Sequence, residues 1–594
     1  MKSRISLFNR GVSRSLLRRF WPLWTGYAVY MLLRLPVRIP AMLASAEAAK
    51  MSDNFDSFTF LSLNNSVISN GVGTLIPAAL ISLILVGAMF GFLYNSRMCG
   101  LMNSLPLRRE TMFFTAWLTG LLPLLLINVL TALLAWLIAL PRAAISPQAL
   151  LIWFAFVSLG ELAFYNFAIF CGMLTGRKVY MPLIFLMLNF IVGLLVGCVM
   201  LFFKLMFYGY SISTFPAWAM FLTPAARLAQ EYGFGLLSLF VGSEENSVSL
   251  TLLAVYAGLS VLFLLAALVL YRRRQMESAG DAVAVPWAKP VLKYLFCLGF
   301  TFCFTLLNVT LIALGSTETE PLLVYLLPTL SIGCFLGYFI AEMLQRRTVK
   351  VFRGHWRGFF ITAAALCAFV LVCHFDVFGY ESYVPAEDQI AAVDFDGSFS
   401  GHVEQPEHIA DAVALHREAL TLKGRKDKDG QDLRGTMTIR YTLKNGRTVE
   451  REYRTDRAMK KELIRLCDEP EAIVYRMREI SEIPFDRIGS AFISESSGSG
   501  VNYHSASYTL TEGQLAELMQ NGVLPDAALG RIDRCDPDVF RGTVNYSICI
   551  SLRSGAFPSD RSMYWIEVDN DSQFTRAWIK AFLASDPAAD TQNI

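Results

Sequence analysis

The chain is poor in charge. Asp, Glu, Lys and Arg make up 17% of its 594 residues, where soluble proteins carry about 25%, so a wholly soluble fold is excluded. Histidine is scarce, six in all, and neither HExxH nor GxSxG occurs, which removes the zinc-protease helix and the hydrolase nucleophile elbow. No GxxxxGK[ST] occurs either. The chain has no Walker A loop of its own, and any work from ATP must come from a partner. The eleven cysteines include no CxxC and no metal-ligand spacing. Eight lie in or beside apolar runs, where Cys is a small hydrophobe; Cys467, Cys535 and Cys549 lie further on, leaving room for one disulfide at most. His408 and His416, eight apart on a predicted helix, lack a third ligand nearby. No enzyme activity, metal, cofactor or nucleic-acid partner is expected of this chain.

What is abundant is apolar surface: 54% hydrophobic residues and 44 Phe. Nine segments are long enough to span ~30 Å of hydrocarbon: 20–43, 72–95, 113–140, 150–174, 179–206, 249–271, 291–314, 321–344 and 358–376. Arg34 and Arg38 interrupt the first. The basic N-terminus has no small-residue cleavage site after its first apolar run, so that run is expected to stay as an anchor. Residues 1–19, with Ile5, Val12, Leu16 and Leu17 among five arginines, read as an amphipathic helix on the membrane surface.

Charge divides the chain. Residues 377–594 hold 25 basic and 35 acidic residues, leaving 27 and 14 for residues 1–376. With the N-terminus cytoplasmic, the inside segments and the span-edge Lys293 collect about 21 Lys and Arg against three acids, as the positive-inside rule requires. An odd number of spans then puts 377–594 outside. The fold class expected is a polytopic α-helical membrane protein with a C-terminal α+β extracytoplasmic domain. In that domain Met437, Ile439, Tyr441 and Leu443 alternate with polar residues and lead to Asn445-Gly446, the mark of a hairpin with a type I′ turn. An order of strand, helix, hairpin, helix recurs, which suggests a duplication. The outer loop 207–248, broken by Pro216 and Pro224, reads as two short helices or an interfacial loop, and 423–432 as a solvated turn. "SESSGSGVNYHS" reads as a loop rather than a phosphate cradle.

Polar residues inside the spans are costly, roughly 2–3 kcal/mol or more for an ion. Glu161, with Tyr165 and Asn166 one turn on, is either a polar lining for a substrate path or an internal packing lock, with Arg34 as a possible partner by depth. Lys204 is expected to snorkel. Three spans carry GxxxG, at Gly87, Gly193 and Gly333, which permits close helix packing.

Between the second and third spans lies "NSLPLRRETMFFTAWLTG", Asn103 to Gly120. It resembles the loop of ABC-2 type transporter permeases, a Leu-Pro-x-x-Arg turn ahead of the third span, here Leu105, Pro106, Leu107, Arg108 and Arg109. The basic N-terminus, a six-span core over 20–275 and a broken outer loop between spans five and six fit too. Three more spans over 276–376 and the outer domain 377–594 resemble an enlarged Gram-positive-type subgroup. The resemblance implies a permease subunit in the bacterial cytoplasmic membrane, paired with itself or a sister permease and driven by two ATPase subunits that hold the ATP and Mg. It implies that Leu105, Pro106, Arg108, Arg109 and Glu110 seat in the ATPase as a coupling helix. Pro at the first turn fixes a helix start, and the charges suit ion pairing; the two arginines would also anchor span three. The alternative is a membrane-anchored sensor or cell-envelope binding protein that uses the outer domain.

Overall fold

The structure is a computed structural model that describes residues 8–49, 58–104, 106–142, 145–212, 215–232, 250–315, 322–352, 354, 356–397, 399–423, 435–484, 488–497, 504–535, 544–552 and 563–585. Leu105, residues 1–7 of the N-terminal segment, 233–248 of the outer loop, 424–432 of the solvated turn and 498–503 of the Gly/Ser loop lie outside the described residues. The chain forms two compact units, Met1–Val199 with Phe215–Cys367, and Met200–Thr214 with Ala368–Ile594.

Among the described residues of the chain, nine helices are long and apolar enough to cross a membrane. The first run divides into α1 (Arg10–Arg34) and α2 (Ile39–Ala49). Within α1 the backbone kinks at Phe20 (φ −114°, ψ 18°), two residues before Pro22. Proline takes away one i→i−4 bond and crowds the carbonyl four residues back, which bends the helix where the surface segment was expected to meet the first span. Arg34 closes α1 and Arg38 lies in the turn that follows, so the two charges break the run. The next helices are α3 (Phe58–Val72), α4 (Leu75–Met89), α5 (Ser96–Asn103), α6 (Arg109–Ala139), α7 (Pro147–Leu174) and α8 (Tyr180–Met206). After Pro216 comes α9 (Ala217–Phe221), then α10 (Pro224–Tyr232), α11 (Leu250–Arg273), α12 (Ala288–Gly315), α13 (Leu322–Arg346) and α14 (Trp356–His374). The helix α3 was not expected, because its Asn and Ser residues hide its apolar period.

Trp153, Tyr165, Phe113 and Met31, all fully buried, lie in one core that joins α1, α4, α6, α7 and α11. Among the GxxxG glycines, Gly193, Gly333 and Gly337 serve packing within the chain, whereas a Cβ on Gly91 would meet nothing within 4 Å. A Cβ on Gly333 would sit 3.2 Å from the Thr301 carbonyl, and one on Gly337 3.0 Å from that of Cys297, so α13 lies directly against α12. Gly193 instead faces the side chain of Thr223.

The second unit contains two four-stranded antiparallel sheets. Strands β1 (Ile390–Gly397), β2 (Gly401–Val403), β3 (Gly435–Leu443) and β4 (Thr448–Thr455) form the first, in the order β2-β1-β3-β4. Strands β5 (Ile488–Ser497), β6 (His504–Thr509), β7 (Val544–Leu552) and β8 (Met563–Val568) form the second, in the order β6-β5-β7-β8. The two orders are the same. The irregularity is too: register slips after Ile390 against Leu443 in one sheet and after Ile488 against Leu552 in the other. Bulges are positional features of a fold, so this match supports a duplicated unit more directly than element order does. Helix α15 (Pro406–Thr421) lies between β2 and β3 in the chain, and α16 (Arg457–Cys467) and α17 (Pro470–Ser481) follow β4. Pro470 separates these two helices, taking the first turn of the second, where proline fits. The second repeat has α18 (Glu512–Leu518) with a full capping box at Thr511 and Gln514, then a π turn, α19 (Leu524–Ala528) and α20 (Gln573–Ser585).

The hairpin β3–β4 has the expected alternation: Met437, Ile439, Tyr441 and Leu443 are buried. Its turn is not type I′. That turn needs positive φ at both central residues, and Gly446 (φ 78°) has it while Asn445 does not. The Gly446 amide donates to the Leu443 carbonyl, and the Leu443 amide to that of Arg447, both at 2.8 Å. This is a type I turn closed by a left-handed glycine. Arg476 ties the repeats together, donating to the carbonyls of Cys467 (3.1 Å) and Asp533 (2.8 Å). Nearby, a hydrogen bond with Cys535 and burial push the Cys467 thiol well up; both cysteines are free thiols, as is Cys549 in β7.

Candidate functional site

Three chain connections, 91–108, 174–180 and 272–288, are stitched together in the first unit. The stitching is mostly backbone. The Gly176 amide donates to the Asp281 carbonyl (3.0 Å), that of Gly280 to Gly176 (2.8 Å), and that of Ala284 to Leu174 (2.7 Å). The Thr175 hydroxyl adds a bond to the Ala282 carbonyl (2.8 Å). Arg274 reaches the carbonyl of Leu93 (3.2 Å).

Arg109 completes this set. Its Nη1 donates to the carbonyls of Arg272 (2.9 Å) and Arg274 (3.2 Å). The last carbonyls of a helix have no partner within it and carry the negative end of its dipole, so a guanidinium there satisfies both needs. Glu110 pairs with Arg272 at 3.1 Å and lies in the first turn of α6, where an acid is favoured. Arg109 and Glu110 are therefore engaged within the chain. Arg108, the residue before α6, is exposed and makes no side-chain capping bond. Pro106 is exposed as well, three residues ahead of the helix start at Arg109. It precedes the helix and does not occupy its first turn, which corrects the expected role of proline as a helix starter.

Sequence reasoning missed the short helix α5. Arg97 and Leu101, one turn apart, are exposed on it, while Cys99 is buried. With Pro106 and Arg108 they give an outward surface of one apolar residue between two cations. The signal was present: Asn95, an N-cap residue, ahead of a run with Leu101 four residues after Arg97.

A second polar set lies within the helix bundle. Glu161 is fully buried on α7. Its Oε2 accepts from Asn128 Nδ2 of α6 (2.9 Å), and its Oε1 accepts from the Tyr27 hydroxyl of α1. That hydroxyl is also 2.8 Å from Asn128 Oδ1, and Asn128 Nδ2 is 3.3 Å from Ser158 Oγ. Arg34 is not part of it. The Arg34 carbonyl accepts from Asn70 (3.0 Å) and its guanidinium lies over Gly73, lining a recess of about 510 Å³ with Arg38, Ser66 and Ser69. Tyr27 holds the place expected of it; Arg34 lies seven residues, ~10 Å, further along the same helix. Tyr165 donates to the Trp117 carbonyl (3.3 Å). Asn166 accepts from Trp117 Nε1 and donates to Ser260, both at 3.0 Å.

All three residues expected to line a path are thus buried and bonded to protein, an arrangement suited to locking α1, α6, α7 and α11. Glu161→Gln should therefore keep the melting temperature of the detergent-purified chain within a degree or two. Glu161→Ala leaves buried donors unmatched, about 1–3 kcal/mol, and should lower it clearly. A Gln variant that melts early would show that the carboxylate itself is required.

In the second unit, His416 of α15 is fully buried. Its Nδ1 lies 3.0 Å from the Tyr441 hydroxyl and its Nε2 2.8 Å from that of Tyr453. One tyrosine donates to the unprotonated nitrogen and the other accepts from the N–H. Residues 207–211 close over this trio: Tyr208 packs on Tyr453 at 5.3 Å between ring centroids and donates to the Ala419 carbonyl, and the Glu452 amide donates to the Gly209 carbonyl at 3.1 Å. Lys204 pairs with Glu452 at 2.9 Å, so its amine is held by β4. His408 pairs with Glu471 at 3.0 Å. The two histidines share no ligand, and no group of metal-binding side chains occurs among the described residues.

Burial, with Arg451 and Arg417 nearby, pulls the His416 imidazole down to about 4. Unfolded, it titrates near 6.5. Between those values the unfolded chain binds a proton that the folded unit refuses, so stability falls as pH drops through this window. The loss should approach about 3 kcal/mol. Denaturation between pH 7 and pH 4 should show it, and His416→Gln should flatten the dependence.

No family model matches this chain. No curated protein and no solved structure matches it either.

Proposed function

We propose that this chain is the membrane-spanning permease subunit of an ATP-driven exporter of the ABC-2 type, coupled to a separate ATPase through the loop near 103–112. In this reading the stitched connections face the cytoplasm and the duplicated α+β unit faces outward, in the cytoplasmic membrane of a bacterium. The six-span core over 20–275 is half a transporter, so the chain pairs with itself or a sister permease. ATP and Mg reside on the ATPase subunits.

The observation that carries the proposal is the exposure of Arg108 on a platform held from beneath by Arg109, Glu110 and Arg274. A coupling surface needs outward groups to meet a partner and inward groups to pass its movement to the spans. Arg97, Leu101, Pro106 and Arg108 supply the first; the bonds to Arg272, Arg274 and Leu93 supply the second. Binding energy at protein interfaces concentrates on a few Arg and apolar anchors, which suits this patch.

Affinity purification of the chain from its own cells should recover an ATPase subunit, and vesicles holding both should accumulate substrate only with ATP. Purification without any ATPase, or transport in its absence, would overturn the proposal. Retention of a cell-envelope ligand with no ATPase present would favour a sensor.

A further inference from the structure

A cavity of about 430 Å³ lies between α8, α12 and α13, walled by Ile184, Met187, Ile191, Phe296 and Phe300, with Leu344 at its edge. Along α8 its lining runs from Tyr180 to Leu194, about 21 Å of helix, enough to cross one leaflet of hydrocarbon, about 15 Å. At one end it shares Ala282, Val283 and Gln345 with a second cavity of about 420 Å³. That one is polar, lined by Asp281, Lys289, Arg346, Arg347 and Thr348.

The charges at this junction do not balance. Asp281 takes Arg347 (3.0 Å) and Lys289 (3.8 Å). Glu342 takes Lys293 (2.6 Å) and Arg346 (2.5 Å). Four cations share two carboxylates, a surplus of two positive charges. Lys293 is nearly buried and also lies 3.9 Å from the centre of the Tyr338 ring, so it is fixed. Lys289 and Arg346 are about half exposed, so each can present N–H groups to a ligand beside the carboxylate it already pairs with.

We infer that this is a binding site for an anionic phospholipid: one acyl chain fills the apolar slot and the phosphate sits among Lys289, Arg346 and Arg347. The inference rests on the reading of these helices as membrane spans. An apolar slot alone takes any lipid tail, since lipid is as apolar as the wall. The cationic mouth is what selects, because a phosphate replaces water around the surplus charge, whereas the ammonium of a zwitterionic headgroup is repelled by it. The guanidinium of Arg347, which lines the polar cavity beside Asp281, offers the planar fork that phosphate accepts best.

The test uses the full chain in detergent, after confirming that it resists alkaline extraction from membranes. Phosphatidylglycerol or phosphatidylcholine is added to the delipidated chain, and retained lipid is counted by native mass spectrometry. Wild type should hold phosphatidylglycerol at least tenfold better. The double variant Lys289→Ala with Arg347→Ala should lose that preference while melting near wild type without lipid. Leu344→Trp, at a half-exposed position on the slot, should weaken both lipids. Equal retention of the two lipids by wild type, a double variant that still prefers phosphatidylglycerol, or equal stabilisation by glycerol phosphate without acyl chains would overturn the site and leave the membrane reading intact. A chain released by alkali would overturn both.

Discussion

Arg108→Glu should abolish recovery of the ATPase subunit and reduce ATP-dependent transport at least tenfold, with no change in melting temperature. Arg109→Glu should also impair transport, and should melt several degrees earlier. The difference follows from where the two side chains go. Arg108 projects outward, so reversing its charge alters only what a partner meets. A reversed charge at a partner's acidic groove replaces attraction with repulsion, worth several kcal/mol across a close interface. Arg109 instead closes the end of α11. Reversing it places a carboxylate against two carbonyls and the negative end of a helix dipole, and strands those acceptors. Capture of the ATPase and thermal melting, measured on both variants, separate recognition from support. Equal melting losses in the two variants would mean that Arg108 is structural as well. Undiminished capture by Arg108→Glu would remove it from the coupling surface.

The contrast between these adjacent arginines shows where sequence reading stops. Arg108 is the last extended residue before α6 and Arg109 the first helical one, so one can face a partner and the next a neighbouring helix, yet in the sequence they are one basic pair. The same limit applies at Glu161. Counting residues along a span gives depth but not the direction a side chain takes around the axis, and depth alone offered Arg34 where Tyr27 and Asn128 stand. Long apolar runs were legible because hydrocarbon thickness imposes a length. The helix Phe58–Val72 was not, since two adjacent asparagines and three serines mask its apolar residues. In the second unit the period-two pattern of β3 was plain, whereas the turn type depended on the φ of Asn445, which residue identity does not fix. A recurring order of elements was visible. The matching strand orders and the bulges after Ile390 and Ile488 needed coordinates.

Gly176→Ala should be among the most damaging small substitutions in the chain. A Cβ there would press on the Ser278 carbonyl and lie 2.7 and 2.8 Å from the Asp281 amide nitrogen and carbonyl oxygen. All three atoms are backbone, so no side chain can swing aside. The connections 174–180 and 276–284 would have to part, with loss of the bonds from Gly176 to Asp281, from Gly280 to Gly176 and from Ala284 to Leu174. At roughly 1 kcal/mol each, with the steric cost added, the expected destabilisation is about 3 kcal/mol or more. Gly100→Ala is the control: its Cβ meets nothing within 4 Å on the exposed side of α5, and alanine in a helix interior gains up to about 1 kcal/mol over glycine. Limited proteolysis of the detergent-purified variants should cut Gly176→Ala within 272–288 far faster than wild type and spare Gly100→Ala. Transport should fall with the first, because a platform whose connections have parted cannot carry a push from Arg108 to α11 and α12. If Gly176→Ala resists protease like wild type but still fails in transport, the stitching is not the structural support that carries the push.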